Sequence, residues 1–127
     1  MKTKTIVDIL TPIYKIHKQC AIHLVGLKNA SKKEVFKYAY QNIVDLMKHT
    51  TLGLYVDKKY FNEALSDYQM LKVNLDISHE VGAVSNGLFA DFIPLLVDIE
   101  RLLQLFTDEE SNNSIKESSA ATAESIQ

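Results

Sequence analysis

Residues 31 to 47 read SKKEVFKYAYQNIVDLM, and this stretch decides the fold. Ser31-Lys32-Lys33-Glu34 has the spacing of a capping box, in which Ser31 accepts from the Glu34 amide while the Glu34 side chain reaches back. Behind it Val35, Phe36, Ala39, Ile43, Leu46 and Met47 recur at steps of three and four, the period of one helix face rather than the two-residue alternation of a strand. A helix is therefore predicted from Ser31, apolar on one side only, and a helix of that kind is stable only against partners. Its stripe extends to Leu54, and its end is predicted between Thr51 and Val56, near Gly53.

The same pattern continues in both directions. Upstream, Ile13, Ile16, His17, Cys20, Leu24 and Leu27 fall within about 100° on a helical wheel, while Lys15 and Lys18 face away. Ile6, Ile9 and Leu10 prolong that stripe, but Pro12 cannot donate an intrahelical bond and disfavours helix at Thr11. The main helix is accordingly predicted to start near Pro12, with residues 1–10 as a separate arm or short helical lead. Downstream, Asp57 is the expected N-cap of a third helix that buries Phe61, Ala64, Leu65, Tyr68, Leu71, Leu75 and Ile77 and stops near Gly82. Ser85 or Asn86 opens a fourth, with Leu88, Phe92, Leu95, Leu96, Ile99, Leu102, Leu103 and Phe106 inward and a mild kink at Pro94 on the outer side.

Connections of about three to six residues place successive helices side by side and antiparallel. The prediction is an all-α protein, an up-down-up-down four-helix bundle over residues 11–107. From Asp108 the composition turns to Ser, Ala, Glu, Asn and Thr, with only Ile115 and Ile126 as large apolar residues, and a disordered acidic tail is expected over 108–127. The 127 residues suit one domain, and 46% hydrophobic content supplies an ordinary core. No signal-like start and no 18-residue apolar run is present, and Cys20 is the one cysteine, so a cytoplasmic protein with no membrane partner is expected.

Charge is divided along the chain. Residues 1–59 hold eleven Lys against four acids, and residues 60–127 hold three basic residues against twelve acids, so the halves carry +7 and −9. On the second helix Lys33, Lys37 and Lys48 share the side opposite the apolar stripe with Tyr40, Val44 and Tyr55. Cations suited to phosphates are thereby interleaved with rings suited to unstacked bases. Lys15, Lys18 and Lys28 extend that patch if the first two helices pack side by side; the plainer reading is a solvated face. His17, Cys20 and His23 are residue types that zinc accepts, but three-residue steps spread the two histidines about 120° apart on one helix, against a shared ion. The expectation is no cofactor. No glycine-rich phosphate loop, nucleophile elbow or His-Glu-x-x-His occurs, which points away from an enzyme.

Thr11-Pro12-Ile13-Tyr14-Lys15, Glu80-Val81-Gly82-Ala83-Val84-Ser85 and Ile99-Glu100-Arg101-Leu102-Leu103-Gln104-Leu105-Phe106 stand in the order and spacing of three motifs of one family. Over residues 11–107 the chain resembles the bacterial four-helix-bundle proteins of rRNA intervening sequences and diversity-generating retroelements (Avd-like). It departs from them at Ser31-Lys32, where Phe-Pro is usual, at Ala39-Tyr40, where Leu-Gly is usual, and at Asp76, one of two positions on the third helix that are commonly basic; the other is kept as Lys72. The resemblance implies a non-enzymatic homo-oligomer, a pentameric barrel, whose partners are a reverse transcriptase and RNA or DNA. Lys72 and Arg101 join the candidate contacts on that basis, and the exchange at Asp76 moves the weight to the first two helices. The alternatives carried forward are a homo-oligomeric interaction module without nucleic acid and a metal-binding bundle.

Overall fold

A computed structural model describes the backbone of residues 2–126 and the side-chain surroundings of residues 10–107. Four helices follow one another: α1 (Lys2–Gly26), α2 (Ala30–Tyr55), α3 (Tyr60–Glu80) and α4 (Asn86–Ile126). Each packs against two others in the cyclic order α1, α2, α3, α4, the α2–α3 contact being the most extensive, and the diagonal pairs do not meet. His17 and His23 lie against Tyr40 and Phe36, so α1 and α2 run antiparallel. Asn74 bonds Asn42 and His49 meets Asp67, which gives the same sense to α2 and α3. Phe61 stacks on Phe106 while Tyr68 reaches Leu96, so α4 returns alongside α3. The up-down-up-down bundle expected from the sequence is what forms.

The predicted stripes meet at the axis. Ile13, Ile16 and Cys20 of α1, Phe36, Ala39, Ile43 and Leu46 of α2, Tyr68, Leu71 and Leu75 of α3, and Phe92, Ile99 and Leu103 of α4 have 1% exposure or less. Each full burial of a large apolar side chain contributes about 1.5–3 kcal/mol against the entropy of ordering it. A directed polar contact crosses the core, Tyr68 Oη donating to the Leu96 carbonyl at 2.9 Å, which fixes the height of α4 against α3.

Several boundaries differ from expectation for identifiable reasons. α1 runs unbroken through Pro12 from Lys2, so of the two forms expected for residues 1–10 the helical lead is the one that agrees, and no break separates it from the main helix. Pro12 is itself buried, and its ring lies in the α1–α4 seam near Leu95 and Leu102, where packing offsets the missing amide bond. The cap of α2 is Asn29, whose Oδ1 accepts from the Lys32 amide at 3.0 Å, and Ser31 is already inside the helix. Asp57 is not the cap of α3: the N-cap position is Lys59, with no side-chain cap bond, and Asp57 instead accepts from the Lys59 amide at 3.0 Å in the tight turn before Tyr60. Ile77, assigned to the buried stripe, is 43% exposed, and Ser78 takes the inner position. The Ser78 carbonyl accepts from the amides of Ala83 and Val84 as Gly82 adopts φ +80°, a left-handed Schellman stop at the predicted place. Ser85 caps α4 by accepting from the Leu88 amide at 3.1 Å, and Pro94 is exposed on its outer side. The tail expected to be disordered from Asp108 lies outside the residues whose surroundings are described.

At Gly53 α2 lies close against α3: a Cβ built there would meet three carbons of the Phe61 ring at 3.0 Å. That ring is held by Phe106, 4.5 Å away and nearly parallel. Gly53→Ala is therefore expected to lower stability by about 1–3 kcal/mol in thermal or urea denaturation, through overpacking. Gly87→Ala, which meets nothing within 4 Å, is expected to leave stability unchanged or raise it by up to about 1 kcal/mol.

Candidate nucleic-acid interface

Because α1 and α2 are neighbours, their outer faces form one surface, and the condition for joining the two groups of lysines is met. Lys15 and Lys18 are exposed along the outer face of α1, between Tyr14 at 62% and Ile22 at 65% exposure. Lys28 projects from the α1–α2 turn, and Lys37, Lys48 and Tyr55 are exposed on α2. Lys33 is half-buried. Tyr40, expected on the exposed surface, packs against the core instead, its ring 5.4 Å from that of His17. Its place on the wheel lies on the flank of α2 that turns toward α1, so an aromatic there fills the seam rather than standing free. Tyr14, missed as a surface aromatic, was legible in the spacing Tyr14, Lys18, Ile22, Val25, which sets one stripe opposite the core stripe.

Two of the candidates belong elsewhere. Lys72 lies on α3, 3.9 Å from the Glu100 carboxylate and 5.7 Å from the Tyr68 ring centre, where it ties α3 to α4. Arg101 lies on α4, 3.8 Å from Asp98, beside a cleft that also involves Lys15.

The electrostatics follow from who is paired. Among the described residues Glu34 is paired with Lys37 at 3.4 Å and Asp57 with Lys59 at 3.7 Å, while Asp45 accepts from the neutral Gln41 amide at 3.0 Å and keeps its charge. Lys15, Lys18, Lys28, Lys33 and Lys48 form no ion pair. On α3 and α4 the position is reversed, since Asp76, Glu80 and Asp91 are without a cationic partner. The two halves of the bundle therefore present opposite uncompensated charge.

The residues considered for a metal or for catalysis are occupied in other ways. Cys20 is fully buried, His17 lies on Tyr40, and His23 Nε2 donates to the Ala83 carbonyl at 2.6 Å, closing α1 onto the α3–α4 turn. Among the described residues no group of three or more His, Cys, Asp or Glu is placed to hold a metal ion. His49 has a carboxylate at each nitrogen, Glu63 at 3.0 Å and Asp67 at 2.5 Å, which leaves neither nitrogen to activate a nucleophile. Burial raises the Asp67 carboxyl above its ordinary value, against the opposing pull of His49. Among the described residues no helix is long and apolar enough to cross a membrane. Comparison with protein-family models, with curated proteins and with solved structures finds no match to this chain.

Burial pushes the Cys20 thiol up to about 12. Only the thiolate is nucleophilic, so the folded protein is expected to resist alkylation by iodoacetamide at pH 8, while the chain in denaturant labels fully. Mass spectrometry before and after unfolding checks this. Rapid labelling of the native protein would show that the α1 stripe opens.

Proposed function

We propose that the chain is a non-enzymatic accessory bundle that binds RNA on its α1–α2 face and works with a reverse transcriptase, in assemblies of several copies, as in the family it resembles. One observation carries the RNA part of this reading: among the described residues Lys15, Lys18, Lys28, Lys33 and Lys48 are in no ion pair, on adjoining helices where Glu34 is already paired with Lys37 and Asp45 is the remaining described acid. A surface of this kind attracts phosphates by releasing their counterions and reads no sequence. Exposed Tyr14 and Tyr55 supply faces on which unstacked bases can lie. The reverse transcriptase and the pentamer rest on the resemblance alone.

The test is a salt series with a single-stranded RNA. Affinity is expected to fall about tenfold or more between about 50 and 200 mM salt, since each phosphate contact adds about −0.7 to the logarithmic slope. Lys18→Glu weakens binding at every salt concentration. Affinity that is absent at low salt, or flat across the series, overturns the reading.

A second reading, an interaction module without nucleic acid, is favoured by a different observation. Met70, Val73, Ile77 and Val81 follow helical spacing down the outer side of α3 and are 43–50% exposed, with Asp76 and Glu80 nearby. Self-association through this stripe is expected to weaken in Ile77→Lys, measured by light scattering. A wild-type chain that stays monomeric at all concentrations and ionic strengths disposes of both this reading and the assembly part of the first.

A further inference from the structure

The seam between α1 and α4 does not close. A cleft of about 530 Å³ remains there, with Pro12, Leu95 and Leu102 as its apolar lining and Thr11, Lys15, Asp98 and Arg101 as its polar residues. Its size falls within the range of small-ligand sites, and its lining is as much polar as apolar. Lys15 forms no ion pair. Arg101 Nη2 is 3.8 Å from Asp98 Oδ1, too far for a hydrogen bond, and the side chains are 70% and 52% exposed. An exposed pair at that separation holds the guanidinium weakly, and its five N–H donors remain available.

We propose that this cleft is a phosphate-bearing ligand site that seats one nucleotide of the bound RNA. The phosphate lies between Lys15 and Arg101, and the sugar and base cover Pro12, Leu95 and Leu102. Guanidinium binds phosphate through two parallel bonds, and the lysine adds a point charge from the other helix. Asp98 sets the stoichiometry: a second phosphate would face its carboxylate, so a monophosphate fits better than a di- or triphosphate. The cleft joins a cation of the basic half to a cation carried by the acidic half, and so takes the polymer past the edge of the lysine face. This rests on the RNA reading above, but the site has its own ligand and can be tested apart from it.

The experiment uses the full chain and two probes, cytidine monophosphate and a single-stranded RNA. Amide resonances of Thr11 to Lys15 and of Leu95 to Leu102 are expected to shift saturably with cytidine monophosphate and less with cytidine diphosphate. Lys15→Ala and Arg101→Ala each weaken the nucleotide about tenfold, the size expected for one charged hydrogen-bonding partner. Arg101→Lys recovers part of the loss. Lys59→Ala, which removes a charge at the α2–α3 turn, keeps wild-type nucleotide binding. Together the two cleft substitutions make the RNA salt slope shallower by about 0.7, because the two side chains hold one phosphate between them. Both side chains are exposed, and unchanged thermal melting confirms that the variants fold.

If RNA binds with a steep salt slope while the cleft amides stay still and both variants bind as wild type does, the cleft assignment is overturned and the RNA reading stands. If the nucleotide saturates the cleft and RNA does not bind, the site stands and the RNA reading falls. Absence of both overturns both.

Discussion

Everything in this bundle depends on giving each of four helices a single apolar stripe to bury. In a square arrangement a helix turns its stripe to the axis, its two flanks to its neighbours and its remaining face to solvent. Since the diagonal pairs do not meet, no helix is shielded all round. The cyclic order then places α1 beside α2 and α3 beside α4. A division of charge along the sequence becomes a division across the molecule, because chain order and spatial order coincide. A topology with crossed connections would have mixed the two signs on every face.

Polar groups mark the joints. His17 meets Tyr40 between α1 and α2, His23 binds the α3–α4 turn, His49 bridges α2 to α3, and His79 bonds Asn86 at 2.6 Å while stacking on Phe89. Imidazole suits these places because it has an apolar face for packing and a ring nitrogen for a directed bond. The core itself carries little directional information, since aliphatic side chains tolerate sliding. Tyr68 to Leu96 and Asn74 to Asn42 are the bonds that fix heights. All four histidines thus have a contact at a joint between elements.

Helix number, order and most of the core were legible because three- and four-residue spacing reports directly on burial. Gly82 and Ser85 were legible because a left-handed stop and a side-chain cap each admit few residue types. What was not legible concerned choices between equivalents. Asn29 and Ser31 are both good caps, and only the path of the α1–α2 turn selects the first. Pro12 was read as a break because local rules count the lost bond and not the seam that the ring fills. Ile77 stands two residues after buried Leu75 and so leaves the inner face, while Ser78, three residues after it, takes the inner position. Tyr40 failed as a surface aromatic for a related reason, since a position on a helix flank is exposed only until the neighbouring helix is placed.

Two seams separate the basic half from the acidic half, and they are built differently. Along α2 and α3 the seam is closed: His49 lies between Glu63 and Asp67, and an amide pair joins Asn42 to Asn74. Along α4 and α1 it is open, and two cations, Lys15 and Arg101, share its cleft with one carboxylate, Asp98. Like charges placed across a helix seam work against its closure unless an anion comes between them. The opposite seam shows that ordinary side chains can close such a boundary.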